Sequence, residues 1–320
     1  MKKISRLSAI VMMCTLILTA VPFLSEPAGA ETLPGYSADA AITFAQTNTH
    51  NYKDCVKFAR ACAEKGGVPR QNAITGYSTK SYMDYLINFG YAVKNELTLH
   101  PADDAYVPIG NSKKICNLLY EDNAGDLAPG DLLVYKCKKC GKYYHSAIVT
   151  GIKDTVTRLN DQGSSPGWML EAQSANGKLI EGPFYLYNHK SAHGRTNVTV
   201  YALHFTSADN GFEACDTTIG SLTAKKITSK KVRLKWDAIE GAVAYNIYTR
   251  GYSSGPIRYL TQVKGTNVKV AVPKNSKGKY YKLKNVRYTV APVFEKEVTF
   301  ESKTKVYRVI GKRRALVKVK

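Results

Sequence analysis

The chain has 320 residues, with 46 Lys+Arg against 25 Asp+Glu and a formal net charge of +21. That length allows two domains. Beyond the first thirty residues no stretch is apolar enough to span a bilayer, which excludes a helical membrane protein as the mature form. The charge is divided unevenly: residues 216–320 hold 25 Lys+Arg against 6 Asp+Glu, a net of +19, while 31–215 is close to neutral. A neutral half followed by a strongly basic half predicts two domains with different partners.

Residues 1–30 read as a secretory signal peptide. "MKKISRL" is a short basic start, "SAIVMMCTLILTAVPFL" is an apolar run, and Ala28 and Ala30 occupy the small-residue positions of a cleavage site. The expected mature chain is secreted and extracellular, and associated with the cell wall. Six cysteines remain in it: Cys55, Cys62, Cys116, Cys137, Cys140 and Cys215. Export permits disulfides without requiring them, and the spacing selects no pairing.

In chain order, "SADAAITFAQTN" (37–48) predicts a helix capped by Ser37. Cys55 to Lys65 predicts the next, stopped by Gly66, Gly67 and Pro69. "STKSYMDYLINFG" (78–90) predicts a third, and "SKKICNLLYEDN" (112–123) a fourth. The pattern then changes. "DLAPGDLLVYKCKKCGKYYHSAIVTGI" predicts a β-hairpin, "GWMLEAQSANGKLIEG" one or two strands, and "VTVYALHF" (198–205) another. Helices followed by an antiparallel sheet make an α+β domain over 31–215. From 216 to 320 the chain predicts only strands: "KVRLKWDAIEGAVAYNIYTR", "YLTQV", "VKVAV", "VRYTVAPVF" and "TKVYRVIG". Many short strands between turn signals indicate an all-β sandwich.

Cys55, Phe58, Ala59 and Cys62 fall on one stripe of the second helix, so Cys55 stands at the N-terminal end of the core-facing side. Helix N-termini supply partial positive charge and free N–H groups, which lower a thiol's pKa. A nucleophilic thiol needs a base, and the base needs an orienting group. His145, which begins the strand "HSAIVTGI", is the histidine best placed on a rigid element. His50 and His100 fall in polar loops, His189 and His193 in a turn-rich stretch, and His204 in a strand as a packing residue. Asp54, just before the helix, reads as its cap.

Four segments in this order resemble one family. "DCVKF…GG", "DLAPGDLLVY", "HSAIVTG" and "MLEAQSANGKL" are similar to the NlpC-like and CHAP-like cysteine amidases and peptidases of bacterial cell-wall turnover. The resemblance covers about 37–206 and implies a papain-like fold. It makes Cys55 the nucleophile and His145 the general base. It places the third polar residue on the strand after the histidine strand, where Glu171 ranks first, then Gln173, then Asn176. The family often has Ser-Gly or Thr-Asn after the cysteine, and here Val56-Lys57 stands there. The implied chemistry is acyl transfer through a cysteine-histidine acyl-enzyme on amide bonds of peptidoglycan. A secreted cysteine protease or transpeptidase acting on proteins is the rival enzyme, and a catalytically silent wall-binding protein the non-enzymatic one.

No cofactor is required by this chemistry. "CKKC" at Cys137 and Cys140 also fits half of a structural zinc site, a local disulfide, or free thiols beside the groove. In the basic half, "VRLKWDAIEGAVAYNIYTR" is similar to the opening strands of fibronectin type III domains, with Trp236 as the core tryptophan. A net charge of +19 favours anionic polymers as its partners, and outside a bacterial cell these are wall polymers rather than nucleic acid.

Overall fold

The structure is a computed structural model. It describes residues 35–69, 78–98, 108–109, 113–115, 126–152, 167–172, 179–183, 185–186, 197–205, 219–252, 255–300, 303–311 and 313–320. Three helices come first, each where its cap places it. α1 (Ala38–Thr47) starts at Ser37, whose Oγ accepts from Ala40 N at 3.1 Å. α2 (Cys55–Lys65) starts at Asp54, and α3 (Thr79–Asn88) at a Ser78–Ser81 capping box. The expected fourth helix over 112–123 is not formed at its start. Lys113–Ile115 is a strand, β3, paired on one side with β2 (Pro108–Ile109) and on the other with β8 (Tyr185–Leu186). Ladder hydrogen bonds on both sides outweigh the helical pattern there; residues 116–125 lie outside the described residues.

The first half centres on a six-stranded antiparallel sheet. Its strands are β1 (Ala92–Glu96), β4 (Leu132–Cys137), β5 (Tyr143–Ile152), β6 (Gly167–Ala172), β7 (Leu179–Pro183) and β9 (Val198–Phe205), in the order β1-β9-β4-β5-β6-β7. The helices bury their apolar stripes on it. Phe58, Ala59 and Cys62 of α2 share one core with Leu132, Val134, Ile148, Tyr201 and Leu203 of the sheet. Tyr36 locks the start of α1 to this core. Its ring stacks on Phe205 at 4.1 Å between centroids, and its hydroxyl donates to Gly130 O at 2.9 Å.

The second half is a sandwich. One sheet runs β10 (Leu222–Thr228), β11 (Lys231–Trp236), β14 (Asn267–Ala271). The other runs β13 (Ile257–Val263), β12 (Ala242–Arg250), β15 (Arg287–Phe300), β16 (Lys303–Ile310), with β17 (Val317–Lys318) also on β15. Val232, Leu234 and Trp236 from the first sheet meet Tyr245, Ile247, Tyr288 and Val290 from the second. Trp236 is the core tryptophan expected from the sequence, edge-on to Tyr245 at 5.4 Å.

The two halves are joined by packing. Six successive residues of β12, 244–249, are buried, so both faces of that strand are covered. The odd positions Tyr245 and Ile247 face the sandwich core; Ala244 and Tyr248 join Phe89, Tyr91, Ala291, Val293 and Ile310 in the core of the first half. Tyr248 donates its hydroxyl hydrogen to Asn88 O at 2.6 Å, and its ring lies 5.1 Å from Phe89. Gly90, at φ +76°, ends α3 at this contact, and a Cβ there would stand 2.9 Å from Ile310 Cβ.

Candidate active site

The site is built where α2 begins. Lys53 turns the chain through a left-handed φ of 51°. Asp54 then caps the helix as expected, its Oδ1 accepting from Val56 N at 2.9 Å and Lys57 N at 3.4 Å. Cys55 is the first helical residue, so its thiol sits at the positive end of the helix dipole. It is partly exposed, whereas Cys62, two turns on, is fully buried.

β5 brings the partners. His145 and Ser146 follow a bulge in the β4–β5 ladder, opposite Tyr135 and Val134. The imidazole lies against the Tyr135 ring at 5.2 Å. Burial raises the Cys55 pKa, but His145 opposes it with a side-chain hydrogen bond and its charge. The Ser146 N–H and hydroxyl also act on the sulfur, and the net result is a pKa below the ordinary thiol value. The Ser146 hydroxyl is buried and has no other hydrogen-bond partner among the described residues. Cys62 has the opposite character. Burial pushes its thiol pKa well up, the character of a packing residue rather than a nucleophile. Two of the three expected catalytic residues are therefore together, and Ser146, which the sequence reading passed over, stands with them. The signal for Ser146 is its place directly after the histidine.

Glu171 lies on β6, the strand hydrogen-bonded to β5, one residue past the Ile148↔Leu170 pair. Gln173 and Asn176 lie outside the described residues, as do His100, His189 and His193. His204 is buried, and more than packing holds it: its Nδ1 lies 2.9 Å from Asp131 Oδ1. Asp131 Oδ2 also accepts from Ala128 N at 2.8 Å, so the "APGD" turn is tied to β9 from within. Burial raises the Asp131 pKa, against the opposing effects of His204 and the Ala128 N–H. A groove of about 680 Å³ lies on the outer side of α2, lined by Phe44, Tyr52, Arg60 and Glu64, and Cys55 does not open into it.

Cys137 and Cys140 flank a tight turn closed by Gly141 N donating to Cys137 O at 2.8 Å, with Gly141 at φ +70°. Neither is in a disulfide, and Cys137 is buried while Cys140 is exposed. Burial opposes ionisation of Cys137, but the Cys140 N–H and thiol and the Lys139 N–H outweigh it and lower its pKa. Two sulfur donors, one of them already receiving N–H groups, suit half of a tetrahedral zinc site. Among the described residues no group of three or more His, Cys, Asp or Glu side chains forms around them, so these residues do not complete a site.

Comparison with known proteins assigns no family. No family model matches the chain, and no curated protein matches it. Among solved structures, a Fn3-like protein from Clostridium thermocellum is similar at 14% identity and a TM-score of 0.20, over 33% of this chain and 95% of that one. No helix among the described residues is long and apolar enough to cross a membrane.

Proposed function

We propose that this protein is a secreted cysteine amidase or endopeptidase that cleaves amide bonds of peptidoglycan, held at the wall by its basic β-sandwich. The observation that supports it most is the Cys55 thiol, made acidic at a helix N-terminus by His145 and Ser146. The Cys55 thiolate attacks the amide carbonyl, and the oxyanion forms beside the Cys55 backbone N–H at the start of α2. The imidazolium of His145 gives its proton to the amine as the C–N bond breaks. Water then attacks the thioester, His145 takes its proton, and the C–S bond breaks to restore the thiolate. Glu171 is the residue assigned to hold the imidazole through its other nitrogen. No metal enters these steps, and zinc at Cys137 and Cys140 would be structural.

The test uses the chain from Glu31 onward and its Cys55→Ala variant, each incubated with purified bacterial peptidoglycan, with released fragments identified by mass spectrometry. Fragments from the unsubstituted chain alone are expected, and their masses name the bond cut. No release from either protein, across walls of several compositions, would overturn the assignment in favour of protein substrates or binding alone.

A further inference from the structure

The sheet β10-β11-β14 has one face in the sandwich core and one in solvent, and the solvent face has an ordered charge pattern. Along β11 exposure alternates strictly, with Lys231, Arg233 and Lys235 outward and Val232, Leu234 and Trp236 inward. The ladder places Lys225 of β10 and Lys269 of β14 directly beside Arg233. The last residues of the chain extend this sheet past β10. Lys320 N donates to Ala224 O at 2.8 Å, and Lys226 N donates to Lys320 O at 2.9 Å. That is the bonding of a parallel pair centred on Lys225, and Lys320 is exposed, as is Lys225. Val319 packs inward, so Lys320 faces outward with the rest.

Four cations, Lys320, Lys225, Arg233 and Lys269, therefore stand in one line across four strands, spanning about 14 Å at ordinary strand spacing. No carboxylate occupies an outward position on these strands. Like charges placed directly opposite destabilise a sheet. Lysines kept only for solubility need no register, and the other outward positions show it: Thr223 and Asn267 flank Lys235, and Ala271 flanks Lys231. The opposite sheet offers no equivalent surface along β12, because the first half covers it.

We propose that this cation line is a binding site for a linear polymer of phosphodiesters, laid across the strands. The inference deepens the reading of the basic half as a tether, and it does not depend on Cys55. Along β11 the line is crossed by Lys231 and Lys235 on the same face, and no carboxylate interrupts it, so a chain of closely spaced phosphates can be held at several points; a lipid surface is met by a broad patch with apolar side chains among the charges, and the vesicle arm of the test decides between the two. Arg233, near the middle, offers the fork that grips phosphate through two hydrogen bonds, and the lysines bind it as point charges.

The test measures binding of the chain from Glu31 onward to purified polyglycerol phosphate across a salt series. The probe is compared with polyglutamate and with phosphatidylglycerol vesicles. The triple variant Lys225→Gln, Arg233→Gln, Lys269→Gln is set against an equal charge change elsewhere, Lys277→Gln, Lys279→Gln, Lys284→Gln, at exposed positions outside this sheet. Losing three phosphate contacts should flatten the slope of log K against log salt by about 2, taking about 0.7 per contact. Affinity near physiological salt should fall at least tenfold, while the second triple stays within about twofold. Thermal unfolding of the first triple should be unchanged or higher, since repulsion is relieved, which separates lost binding from lost fold. Equal losses in both triples, equal binding of polyglutamate, preference for vesicles, or no binding of the polymer would each overturn the proposal. Peptidoglycan cleavage that persists when this binding is lost would leave the hydrolase reading intact.

Discussion

Asp54 carries the start of the helix on which Cys55 stands, and its removal separates structural from chemical roles. Asp54→Ala takes away the acceptor for two N–H groups, at 2.9 Å and 3.4 Å. The longer bond is solvent-exposed, so water replaces much of it, and the expected loss is about 1 kcal/mol rather than the upper end for a cap. Asp54→Asn keeps the acceptor and loses only the attraction of a carboxylate for the helix end, about 0.5 kcal/mol. It also removes a negative charge next to the thiol, so the Cys55 pKa should fall further. Urea unfolding of both variants gives the stabilities, and alkylation rates across pH give the thiol pKa. Asp54→Asn should be intermediate in stability and more reactive at low pH than the unsubstituted chain. Equal destabilisation by Asn and Ala, or a neutral Ala variant, would refute the assignment of Asp54 as cap.

Three further outcomes follow from the geometry. Ser146→Ala should raise the Cys55 pKa by less than loss of His145 does, read as a shift in the same alkylation profile, because it removes one hydroxyl and keeps the backbone N–H. Gly90→Ala should cost about 2–4 kcal/mol in urea unfolding, from a left-handed φ of +76° and a Cβ 2.9 Å from Ile310 Cβ. The two thiols of α2 should also pull stability in opposite directions with pH. Cys62 has a raised pKa when folded, so its contribution is full below the unfolded value near 8.5 and is lost above it, at up to about 1.4 kcal/mol per pH unit. Cys55 has a lowered one, so its contribution is full above about 8.5 and is lost as pH falls through the folded value. Unfolding curves of Cys55→Ala and Cys62→Ala across pH 7–10 measure each slope.

Local signals carried much of this fold. Ser37, Asp54 and Ser78 announced three helices because capping is a property of a few neighbouring residues. The strands of the hairpin and of the sandwich showed in alternation and turn residues. Long-range pairing did not show. Lys113–Ile115 has a helical pattern and is a strand, because β2 and β8 bracket it from distant parts of the chain. Likewise "AVAYNIY" reads as an ordinary sandwich strand, and nothing local says that its second face meets α3. At the site, the stripe position of Cys55 and the strand position of His145 were legible. The Asp131–His204 pair joins residues 73 apart in the chain, and only the register of β4 against β9 brings them together.

The central claim is that Cys55 and His145 form a reactive pair. Its most direct measurement is the rate of iodoacetamide modification of each cysteine across pH, read by peptide mass spectrometry, in the unsubstituted chain and in His145→Ala. Cys55 should react with a midpoint below that of a free thiol, near 8.5, and His145→Ala should move that midpoint up while Cys62 stays unmodified in both. A Cys55 midpoint at or above the free value, unchanged by His145→Ala, would contradict the claim and leave Cys55 an ordinary core cysteine.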